Sequence, residues 1–183
     1  MKPLTIAILL TLFFGISACN NGDSTENATE VGIDTPAQHR EDEATTTDMA
    51  DAEFNDPLVD KVFQNYLNLR SALVNSDAGE AATAAGNMAE TFGSDHAELK
   101  GLAQQIADTD DLAQQRKAFS VLTGQLGNLI NGQLSAGTIY RMHCPMAFDG
   151  EGADWYSEVS EVRNPYFGEK MLTCGKVEEE IGG

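Results

Sequence analysis

The chain has 183 residues, with 29 Asp and Glu against 11 Lys and Arg, a formal charge of −18, three Cys and 42% apolar side chains. That charge excludes sequence-independent binding to nucleic acid, whose affinity comes from Lys and Arg neutralising phosphates, and it supplies no basic patch for anionic lipid. The length and apolar content suit one medium-sized core better than a solenoid or a two-domain enzyme.

Residues 1–18 read MKPLTIAILLTLFFGISA, one Lys followed by a Leu, Ile and Phe run that closes on small residues. This pattern predicts a secretion signal, because the apolar run is too short for a span of about 20 residues. Ile16-Ser17-Ala18-Cys19 resembles a bacterial lipobox, so Cys19 is the expected lipidation site and the mature N-terminus. Several acyl chains on one Cys give stable anchoring. The expected location is the cell envelope, with the chain lipid-anchored to a membrane on the periplasmic side or at the outer membrane.

Residues 19–53 have almost no large apolar side chain and are expected to form a disordered acidic tether, since they cannot bury enough surface to offset ordering entropy. Eleven acids and one base, Arg40, lie between residues 20 and 56, against 18 acids and nine bases in 57–183. About half of the acidity therefore belongs to the tether.

From residue 54 a folded domain is expected. Asp56-Pro57 supplies a cap and a first-turn Pro, and Leu58, Val62, Tyr66, Leu69 and Leu73 recur at helical spacing to about Asn75. Asp77 with Glu80 resembles a capping box for a second helix to Phe92, with Ala81, Ala84, Ala85 and Met88 on one side. Leu99, Leu102, Ala103 and Ile106 mark a third. Thr109 is the expected cap of a fourth helix through Phe119, Leu122, Leu126 and Ile130, with Gly137 as its stop. Short connections between amphipathic helices predict an all-α fold over residues 56–135, an up-and-down four-helix bundle, with an irregular, sulfur-rich C-terminal segment packed on it. The helices contain one His, no Cys and no Glu-x-x-His pair of the di-iron type, and nothing in the chain presents a nucleophile with a base or a phosphate loop. No enzymatic activity is expected.

The chemistry lies after Gly137. Met142-His143-Cys144-Pro145-Met146 and Met171-Leu172-Thr173-Cys174 set thiol, thioether and imidazole donors in two short clusters. Thiolates and thioethers are soft donors that suit Cu(I) better than Mg, Ca or Mn. The candidate metal ligands are Cys144, Met146, Met171 and Cys174, with His143 as an optional further donor. An exported protein also lives where thiols oxidise, so Cys144 and Cys174 can equally form a disulfide, with the Met residues as ordinary packing. Both readings are open at the level of the residues.

Between Phe63 and Ile181 the chain carries Tyr66-Leu67, Ala72-Leu73-Val74, Arg116, Phe119 and Leu122. It continues with Tyr140, Cys144-Pro145-Met146-Ala147, Trp155, Asn164-Pro165-Tyr166-Phe167-Gly168, Lys170-Met171-Leu172 and Cys174-Gly175. In these features it resembles the small bacterial, Bacteroidetes-type domain of unassigned function that occurs on lipoproteins and appended to periplasmic adaptor subunits of copper and silver efflux pumps. The resemblance implies a helical bundle, an association with Cu(I) or Ag(I) handling, and a periplasmic efflux adaptor as partner. It carries no established activity. Cys144, Met146, Met171 and Cys174 match the motif, whereas His143 and Met142 depart from it.

Overall fold

The computed structural model describes residues 52–183. The signal segment, Cys19 and the tether up to residue 51 lie outside the described residues. Ala52 and Glu53, expected at the end of the tether, belong to the fold: Ala52 is buried, and Glu53–Phe54 forms the short strand β1.

Helix α1 spans Pro57–Val74, and the Asp56 carboxylate accepts the Leu58 N–H at 2.8 Å to cap it. Helix α2 spans Ala78–Thr91, capped by Asp77, which accepts from Glu80 N–H at 2.9 Å. A 3₁₀ turn over Ser94–His96 leads into α3, Ala97–Ala107, and α4 covers Leu112–Ile130. The cap of α4 is Asp111, not Thr109. The Asp111 carboxylate accepts from the Ala113 and Gln114 N–H groups, while Thr109 Oγ1 accepts the Asp111 N–H. The Gln114 side chain first, and then these two backbone donors, hold the Asp111 carboxyl below the usual carboxylate range.

Each helix packs on the next: α1 on α2, α2 on α3 and α3 on α4. The apolar stripes meet in one core in which Val62, Phe63, Tyr66, Leu69, Leu73, Ala81, Ala85, Met88, Ile106, Phe119, Leu122 and Leu126 are fully enclosed. Four consecutive helices are thus as expected.

The all-α expectation is overturned by two antiparallel sheets. In the first, β1 pairs with β2, Leu134–Ala136. Asn55 N–H donates to the Gln133 carbonyl at 2.8 Å and Ser135 Oγ to the Glu53 carbonyl at 3.0 Å, which fixes the start of the fold to the exit of α4. The second has the order β4-β3-β5, with β3 at Thr138–Cys144, β4 at Ala153–Ser157 and β5 at Lys176–Gly182. The segment expected to be irregular is therefore largely a sheet. In β3 the buried Met142 and Cys144 alternate with the half-buried Arg141 and His143, a period of two that fits a half-buried strand.

The sheet is locked onto the bundle by polar bonds inside the apolar core. Tyr66 Oη accepts the Tyr156 N–H at 3.0 Å and shares a hydroxyl–hydroxyl hydrogen bond of 3.0 Å with Thr123 Oγ1. Burial holds this phenol neutral far beyond its ordinary range. Arg70, itself buried, reaches from α1 to Ser157 Oγ at 2.5 Å and to the Glu158 carboxylate at 3.1 Å, where each charged side chain is 9% exposed. An aromatic series from Phe63 through Tyr66, Phe119 and Tyr166 to Trp155 runs from the first helix to the sheet.

Candidate metal centre

Cys144 is the last residue of β3 and points into the core with Met142, while His143 between them projects to the other face. Cys174 stands two residues before β5, whose Lys176 is the cross-strand partner of His143. Because β5 is laid antiparallel along β3, residues 30 apart in sequence come together. The Sγ atoms of Cys144 and Cys174 are 3.0 Å apart, both as thiols. This is S–H···S contact, about 1 Å longer than a disulfide bond. Cys144 is buried and Cys174 half-buried, so the pair is reached from one side.

The segment carrying Cys174 is held by a residue that its sequence context marks only as a turn former. Asn164 is fully buried; its Nδ2 donates to the Cys174 carbonyl at 2.6 Å, and its Oδ1 accepts from Tyr166 N–H at 2.7 Å and from Phe167 N–H at 3.3 Å. Its backbone N–H donates to the Leu172 carbonyl at 2.8 Å. One side chain thus closes both ends of the 164–174 loop. Gly175 does the rest: at φ 141° it passes so close to the sheet that a Cβ would come within 2.7 Å of the Trp155 ring and 2.9 Å of the His143 carbonyl. Apart from the Asn-Pro pair, no local pattern announces Asn164 as a positioning residue.

The hydrogen bond with Cys144 first, and then burial, hold the Cys174 thiol above the ordinary thiol range.

The remaining expected donors go elsewhere. Met146 is 54% exposed, and both it and Met171 line a groove of about 620 Å³ together with Ala113, Arg116, Lys117, Phe148, Tyr166 and Phe167. The groove adjoins the thiols through the chain: Ala147 N–H, just past Met146, donates to the Cys144 carbonyl at 3.5 Å, and Cys174 N–H donates to the Met171 carbonyl at 3.0 Å. Met142 is enclosed in the core. His143 does not join the sulfurs; its Nδ1 lies 2.6 Å from the Asp154 carboxylate, which also accepts from Arg141, itself bonded to Glu179 at 3.0 Å. The expected five donors thus divide into a contacting thiol pair, two thioethers on an adjoining groove, and an imidazole committed to a carboxylate. Among the described residues no set of three or more His, Cys, Asp and Glu side chains converges as a metal-holding cluster.

Comparison with known proteins places residues 62–136 under the model of a family described as a protein of unknown function, DUF3347. This agrees with a small domain family of unassigned function. The match runs from α1 to the end of β2 and stops before β3, so both thiols and both groove thioethers lie beyond it. No curated protein and no solved structure matches the chain.

Proposed function

We propose that this chain is a non-enzymatic lipoprotein of the cell envelope that holds a soft monovalent cation, Cu(I) or Ag(I), between Cys144 and Cys174, for sequestration or for hand-over to an efflux system. The observation that carries the reading is the convergence of two thiols from distant parts of the chain to 3.0 Å, with Cys144 buried and Cys174 half-buried. Thiolates select soft ions over Zn, Mg or Ca when so few donors are offered. Met146 and Met171 line a groove of their own, each close in sequence to one of the two Cys. The lipobox-like segment at Cys19 supports the anchored location, and the resemblance in the C-terminal motif supports the efflux adaptor as recipient. Because the sulfurs must lose their protons, affinity falls as pH drops.

Titrating the reduced full-length chain with Cu(I) against a competing chelator tests this. The Cys144→Ser/Cys174→Ser double variant is expected to lose more than the roughly 100-fold that outer-shell changes cost a metal site. Unchanged affinity would sink the proposal.

The sulfur contact favours one other reading, a disulfide that staples β5 to β3 and leaves the domain as an interaction module. Closing that loop would add about 3–4 kcal/mol. Mass spectrometry under non-reducing conditions, on protein taken from its native envelope, separates the two: a fully oxidised pair that resists mild reductant supports the staple.

A further inference from the structure

The two sulfurs of the pair meet at 3.0 Å but are not equally reachable. Cys144 is 0% exposed at the end of β3 and belongs to the apolar core, whereas Cys174 is half-buried and only packs against that core. A reagent too large to enter the core therefore meets Cys174 first and reaches Cys144 only through it. The backbone at Cys174 lies in neither helix nor strand and is held on both sides of the residue. Its N–H donates to the Met171 carbonyl at 3.0 Å, and its carbonyl accepts from Asn164 Nδ2 at 2.6 Å. The side chain can turn while those bonds stay in place. A disulfide sets its sulfurs about 2 Å apart, so a side-chain movement of about 1 Å closes the pair. Among the described residues no other Cys competes for either sulfur.

We infer that Cys144 and Cys174 form an exchangeable dithiol–disulfide couple whose oxidant is a small organic disulfide, with Cys174 the entry sulfur and Cys144 the resolving sulfur. In the first step Cys174 Sγ attacks one sulfur of the small disulfide. That S–S bond breaks, a mixed disulfide forms on Cys174, and the Cys174 proton leaves with the departing half as a free thiol. In the second step Cys144 Sγ attacks Cys174 Sγ from within the core. The mixed bond breaks, the Cys144–Cys174 bond forms, and a second free thiol leaves with the Cys144 proton. The protein gives up two electrons and two protons, and the small disulfide takes them. Reduction retraces the path, since an incoming thiol also reaches Cys174 first. A bond with one sulfur open to attack is thereby set apart from a buried staple. The couple stands on the thiol contact alone; its consequence rests on the cation reading. A disulfide offers no thiolate, so oxidation closes the site to a soft ion and reduction reopens it.

The test treats the reduced full-length chain with oxidised glutathione, quenches it with acid over time and assigns each adduct by peptide mapping. The wild-type chain is expected to pass to an internal Cys144–Cys174 bond, and reduced glutathione should return it to the dithiol. Cys144→Ser should accumulate the adduct on Cys174. In Cys174→Ser the adduct on Cys144 should form slower by at least about tenfold, because a buried thiol is inert, and the two rates should converge in denaturant. Native rates that are equal, a wild-type chain that keeps adducts on both sulfurs, or an internal bond that reduced glutathione cannot open each overturns the inference. Silver(I) binding to the two forms then separates the couple from the cation reading. Binding by the reduced chain alone supports both, and equal binding by the oxidised chain overturns the gating. A reduced chain that takes no silver overturns the cation reading while the couple stands.

Discussion

The position of a single sulfur depends on a single amide. Through its side chain and backbone Asn164 answers five backbone groups around the 164–174 loop. Asn164→Ala would leave a buried carbonyl and two buried N–H groups without partners, a loss of roughly 3 kcal/mol. Chemical denaturation should show that loss, and peptide mapping should show faster alkylation of Cys174 as its segment loosens. A second expectation follows from the sulfur contact. The Cys174 thiol is held above the ordinary range by Cys144 and by burial, and only the thiolate attacks an alkylating reagent. In the wild-type chain the pH midpoint of iodoacetamide reaction at Cys174 should therefore lie above that of a free thiol, and it should fall towards it in Cys144→Ser. An unchanged midpoint in that variant would show that the neighbour does not set it.

At the scale of elements, the strongest join is Tyr66 in α1, which serves α4 through Thr123 and β4 through Tyr156. Tyr66→Phe keeps the ring stacked on Phe119 but strands a buried hydroxyl and a buried N–H, and should cost about 1–3 kcal/mol in thermal or denaturant unfolding. A variant as stable as wild type would mean that the join is dispensable. The elements also show what could be read in advance. The four helices were legible because Leu58, Val62, Tyr66, Leu69 and Leu73 repeat at helical spacing over about four turns, and because Asp56-Pro57 and Asp77 are strong local start signals. The strands were not. β3 reads Thr-Ile-Tyr-Arg-Met-His-Cys, an alternation that is clear once partners are known, but its Met, His and Cys invite a chemical reading first. β5 contains three consecutive Glu, which local propensity disfavours in a strand, and its pairing with β3 decides the matter. The thiol pair was legible as a pair. Its separation from the thioethers and from His143 was not, since it depends on which face of β3 each residue takes.

At the scale of the molecule, the helices do not form a closed bundle by themselves. The family match ends at Ala136, yet Phe119 packs on Tyr166, and Arg116 and Arg70 find their partners at Pro165, Ser157 and Glu158. A chain cut after Ala136 would expose those aromatic faces, leave Arg70 without its Ser157 and Glu158 acceptors, and cost Arg116 one acceptor of three. It is expected to retain helix but lose fixed packing, with weakened near-ultraviolet dichroism and strong binding of a hydrophobic dye. A cooperative unfolding transition in the truncated chain would overturn that expectation. The sequence-level division of charge bears on the same scale. The folded part is only moderately acidic, with 18 acids to nine bases over residues 57–183.

The β1–β2 pair has a mechanical consequence. In a chain anchored upstream, as proposed, any pull arriving at Ala52 reaches the bonds from Asn55 to Gln133 and from Ser135 to Glu53 before it reaches the first turn of α1. Those bonds pass the load to the exit of α4, so tension is divided between two elements and the cap at Asp56 is spared. The strand works as strain relief does on a cable, and under the proposed anchoring it keeps an upstream pull off the helices.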